Sequence, residues 1–284
     1  MRILLQFPEG LKDKAMMHAK GLEAQGNEVI ISASPTFGAC DLSIEEAKMI
    51  GADKLVHFGH AEFHHVDFNV EYVNYEIDAP LDVLRNSIPY LAGFSRIGIV
   101  TTVQHIHQLD AIKKFYEQNG KSVSVAKPYG FAKHRGQILG CDIGSAANLE
   151  KETECILYFG GGIFHPLGAL LATTKPFLRV DPFENVVEFL DHQRKIYKGR
   201  SRGKILSSVN AKSFGILVST KNGQHNMALG NILKHKIESS GLSAAILVSN
   251  TFDFNSISYL HLLQRASRRS TACHRERQVP FHCH

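Results

Sequence analysis

The chain has 284 residues, 44% of them hydrophobic and 21% charged, with a formal net charge of +5. That length and apolar content can bury a large core and exceed one ordinary α/β unit, so two or three domains are expected. The charge is local: residues 264–284 hold Arg265, Arg268, Arg269, Arg275 and Arg277 against Glu276 alone, leaving a nearly neutral body with no electrostatic footprint for a nucleic acid.

No apolar run approaches the ~20 residues of a bilayer span. The run at residues 2–7 is followed at once by Glu9, Lys12 and Asp13, unlike a secretion signal. Five cysteines at wide, irregular spacing do not form a disulfide framework. The expectation is a soluble protein of a reducing cytoplasm, with neither a membrane nor a nucleic acid as partner.

In chain order, the apolar run at residues 3–7 leads through Pro8-Glu9-Gly10 into a segment with Leu11, Ala15, Ala19 and Leu22 on one face. Gly26 stops that segment, and residues 29–31 resume as a strand, which makes a βαβ unit. Lys54–Phe58 and Val70–Val73 read as further strands. A second unit opens at residues 97–101, continues through Ile112, Phe115 and Tyr116 to Asn119-Gly120, and returns at residues 123–125. Cys155–Phe159 and residues 177–180 extend it. A third opens at residues 214–218, followed by Met227, Leu229, Ile232, Leu233 and Ile237, a stop at Gly241 and a strand at residues 244–248.

Strands alternating with amphipathic helices predict parallel sheets flanked by helices. The expected organisation is α/β, with three similar domains at residues 1–93, 94–203 and 204–284. The glycine-bearing stretch at residues 198–203 marks the second boundary, and the last domain is incomplete or ends unusually.

Two Cys-Asp pairs, Cys40-Asp41 and Cys141-Asp142, each follow strand-like sequence, about a hundred residues apart. Open α/β sheets place their chemistry at the carboxyl ends of strands. Cys40 closes the turn-rich run Ser34-Pro35-Thr36-Phe37-Gly38-Ala39, and Ser43-Ile44-Glu45-Glu46 reads as a capping box opening a helix; a helix amino terminus favours the thiolate, the form that ligates metal. A lone cysteine in a turn is commonly just buried. A second one at the equivalent point of the next unit makes two metal ligands the sharper reading, with Asp41 and Asp142 as turn residues.

Cys155 lies inside a buried strand and reads as core. Cys273 stands where a third ligand would, with Cys283 as its competitor. Three thiolates from three domains suit an iron-sulfur cube with one open iron better than zinc, which takes closely spaced ligand pairs. Gly160-Gly161-Gly162 lacks the remaining glycine of a dinucleotide motif, because position 165 is His. The run His57, His60, His64 and His65 reads as solvated or hydrogen-bonding histidines. Pro8-Glu9-Gly10, Thr101-Thr102-Val103-Gln104 and residues 219–224 occupy the first βα loop of each unit and face a common ligand by the switch-point rule, unless they only form turns.

The blocks LLQFPEGL, SASPTFGACDL, GADKLVHFGHAEF, GQILGCD, FHPLG, LRVDPF and LVSTKNGQ together resemble the archaeal first-step enzymes of diphthamide biosynthesis, the 2-(3-amino-3-carboxypropyl)histidine synthase family, over about residues 1–250. The resemblance implies three α/β domains in pseudo-three-fold arrangement around a [4Fe-4S] cluster, held by Cys40, Cys141 and Cys273, in a homodimer. It implies S-adenosylmethionine as co-substrate and a one-electron reductant that cleaves the bond from sulfur to the γ-carbon. The 3-amino-3-carboxypropyl radical then adds to C2 of a histidine of translation elongation factor 2.

Pro8, Glu9 and Gly10, with Ser219, Thr220, Lys221, Gly223 and Gln224, are the candidates for holding S-adenosylmethionine. The chain departs from the family after Cys273, where His274-Arg275-Glu276-Arg277 replaces the usual Pro-Arg. Two alternatives accompany this reading. One is a quinolinate-synthase-like three-domain [4Fe-4S] enzyme; the other is a non-catalytic accessory subunit of the diphthamide system.

Overall fold

Most strands of the first two sheets are apolar on successive residues because helices cover both faces of each sheet. The computed structural model describes residues 1–140, 142–221, 224–253 and 257. Leu4 faces one side of its sheet, packing with Ala47, Ala52 and Leu55; Ile3, Leu5 and Phe7 face the other, against Ala15, Ala19, Val56 and Phe58. The strand period of two thus serves two separate cores.

One compact unit runs from Met1 to Lys198, and a second begins at Gly199. The first unit opens with β1 (Arg2–Gln6), α1 (Ala15–Glu23), β2 (Glu28–Ile31), α2 (Ile44–Met49), β3 (Lys54–Phe58) and β4 (Val70–Val73). The sheet order is β2-β1-β3-β4, all parallel, with Leu4 paired to Ile30 on one side and to Leu55 on the other.

Next come α3 (Val83–Ser87), β5 (Arg96–Thr101), α4 (Leu109–Gln118), β6 (Ser122–Val125), α5 (Gly144–Leu149), β7 (Cys155–Phe159), α6 (Phe164–Ala172), β8 (Phe177–Asp181) and β9 (Val186–Phe189). Their sheet order is β6-β5-β7-β8-β9. In both sheets the chain steps to one side of the founding strand and then to the other. The switch points therefore lie between β1 and β3 and between β5 and β7, where open α/β sheets bind ligands at the strands' carboxyl ends.

α7 (Asp191–Ser208) crosses from the first unit into the second, which contains β10 (Ser213–Ser219), α8 (Met227–Ser239) and β11 (Ser243–Ser249). β10 and β11 pair in parallel from Ser213↔Ser243 to Ser219↔Ser249. Gly230 lets α8 approach the sheet, since a Cβ there would sit 3.0 Å from the Val218 side chain.

The elements depart from the sequence expectations at four places. The stretch at residues 198–203, read as a boundary, is where the second compact unit begins, but it is helical and lies within α7 rather than in a loop. Its Lys and Arg residues are good helix formers, and the exposed helix bears two glycines at about 1 kcal/mol each. Arg194 fastens its first turn, donating to the Leu170 and Lys175 carbonyls and to Asp191.

β9 runs antiparallel to β8, so the second sheet is mixed. The turn that reverses the chain is built by Asp181, whose Oδ1 accepts the Phe183 and Glu184 amides, and by Asn185 in the left-handed region at φ 53°. The first helical segment starts as a 3-10 turn, Glu9–Lys14, before becoming α-helical. Finally, α2 does follow Ser43, but the capping box is not made, because Ser43 and Glu46 bond elsewhere.

Gly98 in β5 lies directly beneath α5: a Cβ there would meet Leu149 Cδ1 at 2.9 Å and Thr153 Cγ2 at 3.1 Å. Gly98→Val is expected to destabilise the first unit by about 1–3 kcal/mol through overpacking, read as a lower urea midpoint with unchanged slope.

Candidate functional site

Gln6 ends β1 with a buried polar side chain, which must find partners or destabilise the fold. It finds them in the loop after β2. Its Nε2 lies 2.7 Å from the Asp41 carbonyl, 3.1 Å from Thr36 Oγ1 and 3.0 Å from Ser43 Oγ; its Oε1 accepts the Ser43 amide at 3.2 Å. One amide thus ties the switch-point strand to the loop bearing Cys40.

Glu46 closes the loop from the other side. It accepts from the Ser32 hydroxyl at 2.7 Å and from Ser34. Burial pushes the Glu46 carboxyl up, but the Ser32, Ser34 and Ser43 hydroxyls outweigh it and hold the group below the usual carboxylate range. These bonds are what Ser43 and Glu46 do instead of capping.

Cys40 is buried with Ala39 and Phe63, and Tyr72 and Leu139 pack against that cluster. Leu139 belongs to the loop after β6, two residues before Cys141, and Phe131 of the same loop stacks on Phe63 with ring centres 4.2 Å apart. The loops after the second strand of each sheet therefore meet at one apolar seam.

The two aspartates brace their loops. Asp41 Oδ2 accepts the Phe37 amide at 3.3 Å, and Asp142 accepts the Phe131 amide at 2.6 Å and the Gly144 amide at 3.0 Å. α6 comes close to the same place: a Cβ on Gly168 would sit 3.1 Å from the Gly140 carbonyl oxygen, and one on Gly140 would overlap the Phe164 ring. The glycines of GQILGCD and FHPLG are thus required by close backbone approach.

Histidines line the same end of the unit. His57, at the end of β3, is fully buried, with Nδ1 2.9 Å from Gln6 Oε1 and Nε2 3.0 Å from His60 Nδ1. Burial, then the charge of His60, lowers His57 to about 3. Burial also lowers His60 to about 4, with His165 adding to the drop and Asp41 opposing it, and lowers His165 to about 4. Both rings retain some accessible surface. Burial pushes the nearby Tyr72 phenol up to about 12, and its hydroxyl has no partner among the described residues. Three neutral imidazoles and a neutral phenol thus accompany Cys40 at physiological pH.

The second switch point is stiff. Asp181 Oδ2 accepts the Gly162 amide at 3.1 Å and pairs with Arg179, which also holds Glu184 and Glu188. Gly160-Gly161-Gly162 is a close-approach loop: a Cβ on Gly160 would lie 2.8 Å from the Tyr158 hydroxyl. Gln104 of the β5 loop donates to the Gly59 carbonyl at 2.8 Å, linking the two switch points.

Among the residues proposed to hold S-adenosylmethionine, Pro8 packs at the β1–β3 switch point, its ring carbon 3.1 Å from where a Gly59 Cβ would stand. Glu9 and Gly10 are exposed, Glu9 pairing with Lys12 at 2.6 Å. Ser219, Thr220, Lys221 and Gln224 lie at the carboxyl end of β10, where the Thr220 amide bonds the Ser249 carbonyl at 3.0 Å. Gly223, Cys141, Cys273 and Cys283 lie outside the described residues. Cys155 is core, fully buried, with its thiol pushed up to about 12 by burial. Among the described residues no group of three or more His, Cys, Asp and Glu side chains is arranged to hold a metal ion, and no helix is long and apolar enough to cross a membrane. The histidine run is hydrogen-bonded at His57 and His60, as one of its two readings had it; reading by residue type missed Gln6 and the role of His165. For Gln6 the available signal was a polar residue ending the apolar run 3–5.

The sequence pattern of the diphthamide synthesis protein family matches residues 7–274. The 2-(3-amino-3-carboxypropyl)histidine synthase of Pyrococcus horikoshii is 33% identical over 269 residues, covering 90% of this chain and 74% of the relative. Subunit 1 of the human enzyme of that name is 32% identical over 266 residues, covering 88% of this chain and 58% of the subunit, so the chain spans little more than half of the human relative. The crystal structure of Dph2 from Pyrococcus horikoshii with a 4Fe-4S cluster superposes with a TM-score of 0.85 at 31% identity, covering 92% of this chain and 77% of that one.

The neutral histidines set a pH dependence. Their folded-state values are depressed, so between the ordinary value near 6.5 and about 3 to 4 the unfolded chain binds more protons. Stability is therefore fully present above pH 6.5 and is lost as pH falls from there toward 4. Urea midpoints are expected to drop between pH 7 and pH 5 in the wild type, and to drop less in His165→Phe.

Proposed function

Because the chain belongs to the diphthamide synthesis protein family, we propose that it transfers the 3-amino-3-carboxypropyl group of S-adenosylmethionine to C2 of a histidine in translation elongation factor 2. The observation that carries this reading is the seam between two loops: the Cys40 loop and the loop leading to Cys141 pack on each other through Phe63, Phe131 and Leu139. Six of the seven family-like blocks fall in the unit that contains that seam.

The residues present fit an iron-sulfur cluster at this place. Cys40 is held in an apolar setting of Ala39, Phe63, Tyr72 and Leu139, which excludes water and favours a soft, thiolate-bound group over a hydrated cation. Cys40, Cys141 and Cys273 would hold it, with Cys283 as the competitor for the third place. When bound, the group supplies one electron for reductive cleavage of the sulfonium at its γ-carbon.

The chain's own residues do the rest by placement. Gln6 and Asp41 fix the Cys40 loop, and Asp142 fixes the Cys141 loop through the Phe131 and Gly144 amides. A site fixed before the co-substrate arrives loses less to reorganisation, which is how orientation decides which sulfonium bond breaks. Pro8, Glu9 and Gly10, with residues 219–224, are the proposed holders of S-adenosylmethionine. Three domains at residues 1–93, 94–203 and 204–284 in pseudo-three-fold arrangement, a homodimer, a one-electron reductant and a cytoplasmic location complete the proposal. The family match sets the quinolinate-synthase-like alternative aside.

The test is transfer of label from carboxyl-labelled S-adenosylmethionine to elongation factor 2 by anaerobically reconstituted, reduced protein. Label is expected in the factor, with loss of both bound iron and transfer in Cys40→Ala. An iron-loaded, reduced wild type that transfers none would refute the proposal in favour of an accessory subunit.

A further inference from the structure

The histidines beside Cys40 form a chain whose proton positions the structure dictates. Gln6 Nε2 must be the donor end of its amide, because it faces the Asp41 carbonyl at 2.7 Å; Oε1 must be the acceptor end, because it takes the Ser43 amide at 3.2 Å. His57 Nδ1 stands 2.9 Å from that same Oε1 and therefore carries a proton. His57 is fully buried and neutral, so its Nε2 has none and accepts. His60 Nδ1, 3.0 Å away, must then donate. His60 is neutral as well, which leaves its Nε2 a bare lone pair. The backbone of the Cys40 loop has set, through one amide and one ring, the tautomer of His60.

That lone pair has no hydrogen-bond partner among the described residues, and neither has the ring of His165, which lies near enough to His60 to disfavour its protonation. Both rings keep some accessible surface, so the His60 lone pair at the switch point is open to a hydrogen-bond donor brought in by a ligand, in exchange for water. A lone pair cannot take another acceptor, nor does it suit a carboxylate. It takes an N–H or O–H donor, and a charged N–H gives the strongest bond.

We propose that His60 Nε2 is a substrate-positioning acceptor, held in its tautomer by the Asp41–Gln6–His57 chain, that takes an N–H of a reactant at the Cys40 face. This rests on the transferase reading. Of the donors those reactants carry, the two closest in bonding to the reacting atoms are the α-ammonium of S-adenosylmethionine and the ring N–H of the target histidine. The same acceptor would orient either, and a charge-assisted bond to the ammonium would be the stronger.

The first test needs no turnover. Long-range ¹⁵N NMR of cluster-free, histidine-labelled protein is expected to show His60 protonated at Nδ1 and bare at Nε2; the opposite tautomer overturns the proposal. The second uses His60→Asn, whose amide keeps a donor toward His57 but presents no acceptor at the far end of the ring, and His60→Gln, which restores one there. If the ammonium is the donor, equilibrium binding of S-adenosylmethionine to the reconstituted protein weakens roughly tenfold in His60→Asn and recovers in part in His60→Gln. If the target histidine is the donor, that binding stays the same, while KM for elongation factor 2 rises and methylthioadenosine forms without transfer. Folded His60→Asn protein that matches the wild type in binding, KM and coupling refutes the inference. A wild type that transfers no label refutes the transferase reading instead, and leaves the tautomer measurement standing.

Discussion

One side-chain amide organises the first unit. Gln6 is the point at which the central strand of the first sheet, the loop carrying Cys40 and the buried histidine of the neighbouring strand are bonded to one another. A buried amide with its donors and acceptor all engaged is worth more than its net hydrogen-bond energy, because loss of any partner leaves a desolvated polar group. The Cys40 loop contains Ser34, Pro35, Thr36 and Gly38 and has no regular structure of its own. Its conformation is therefore imposed from the strand end by Gln6 and from α2 by Glu46.

The second sheet repeats the solution with different parts. Asp142 replaces Gln6 as the brace, and glycines allow the close approach: Gly130 at φ 58° would place a Cβ against Asp142, and Gly140 and Gly168 let α6 pass the loop. Both sheets deliver a Cys-Asp pair from the loop after their second strand. In each, the aspartate side chain holds backbone amides, which leaves the cysteine as the residue with chemistry to offer. Phe63, Phe131 and Leu139 then join the two loops without polar groups, a surrounding suited to a cluster whose reactions water would divert.

Much of this was legible in the sequence. The strands of all three sheets, apart from β9, follow from apolar runs, several of them bounded by glycine, and the two Cys-Asp pairs announce themselves by position after those runs. Three features were hidden for physical reasons. The Ser43-to-Glu46 spacing satisfies a capping box, but tertiary partners for both side chains outbid the local bonds. The residues at 198–203 combine two glycines with helix-forming cations, and propensity won over the glycines. The histidine chain cannot be read from spacing, because His57 and His60 gain meaning only from Gln6, fifty-one residues away in sequence from His57, and from His165, which lies in α6 beside the second sheet.

In the proposed function the cluster is held at the seam between the Cys40 and Cys141 loops. Iron and sulfide content of anaerobically reconstituted protein, compared among the wild type, Cys141→Ala and Cys155→Ala, tests it most directly. Cys141→Ala is predicted to lose the cluster and its charge-transfer absorption while remaining folded, and Cys155→Ala, altered in the core of β7, to keep them. Full cluster content in Cys141→Ala, or its selective loss in a folded Cys155→Ala, would contradict the account.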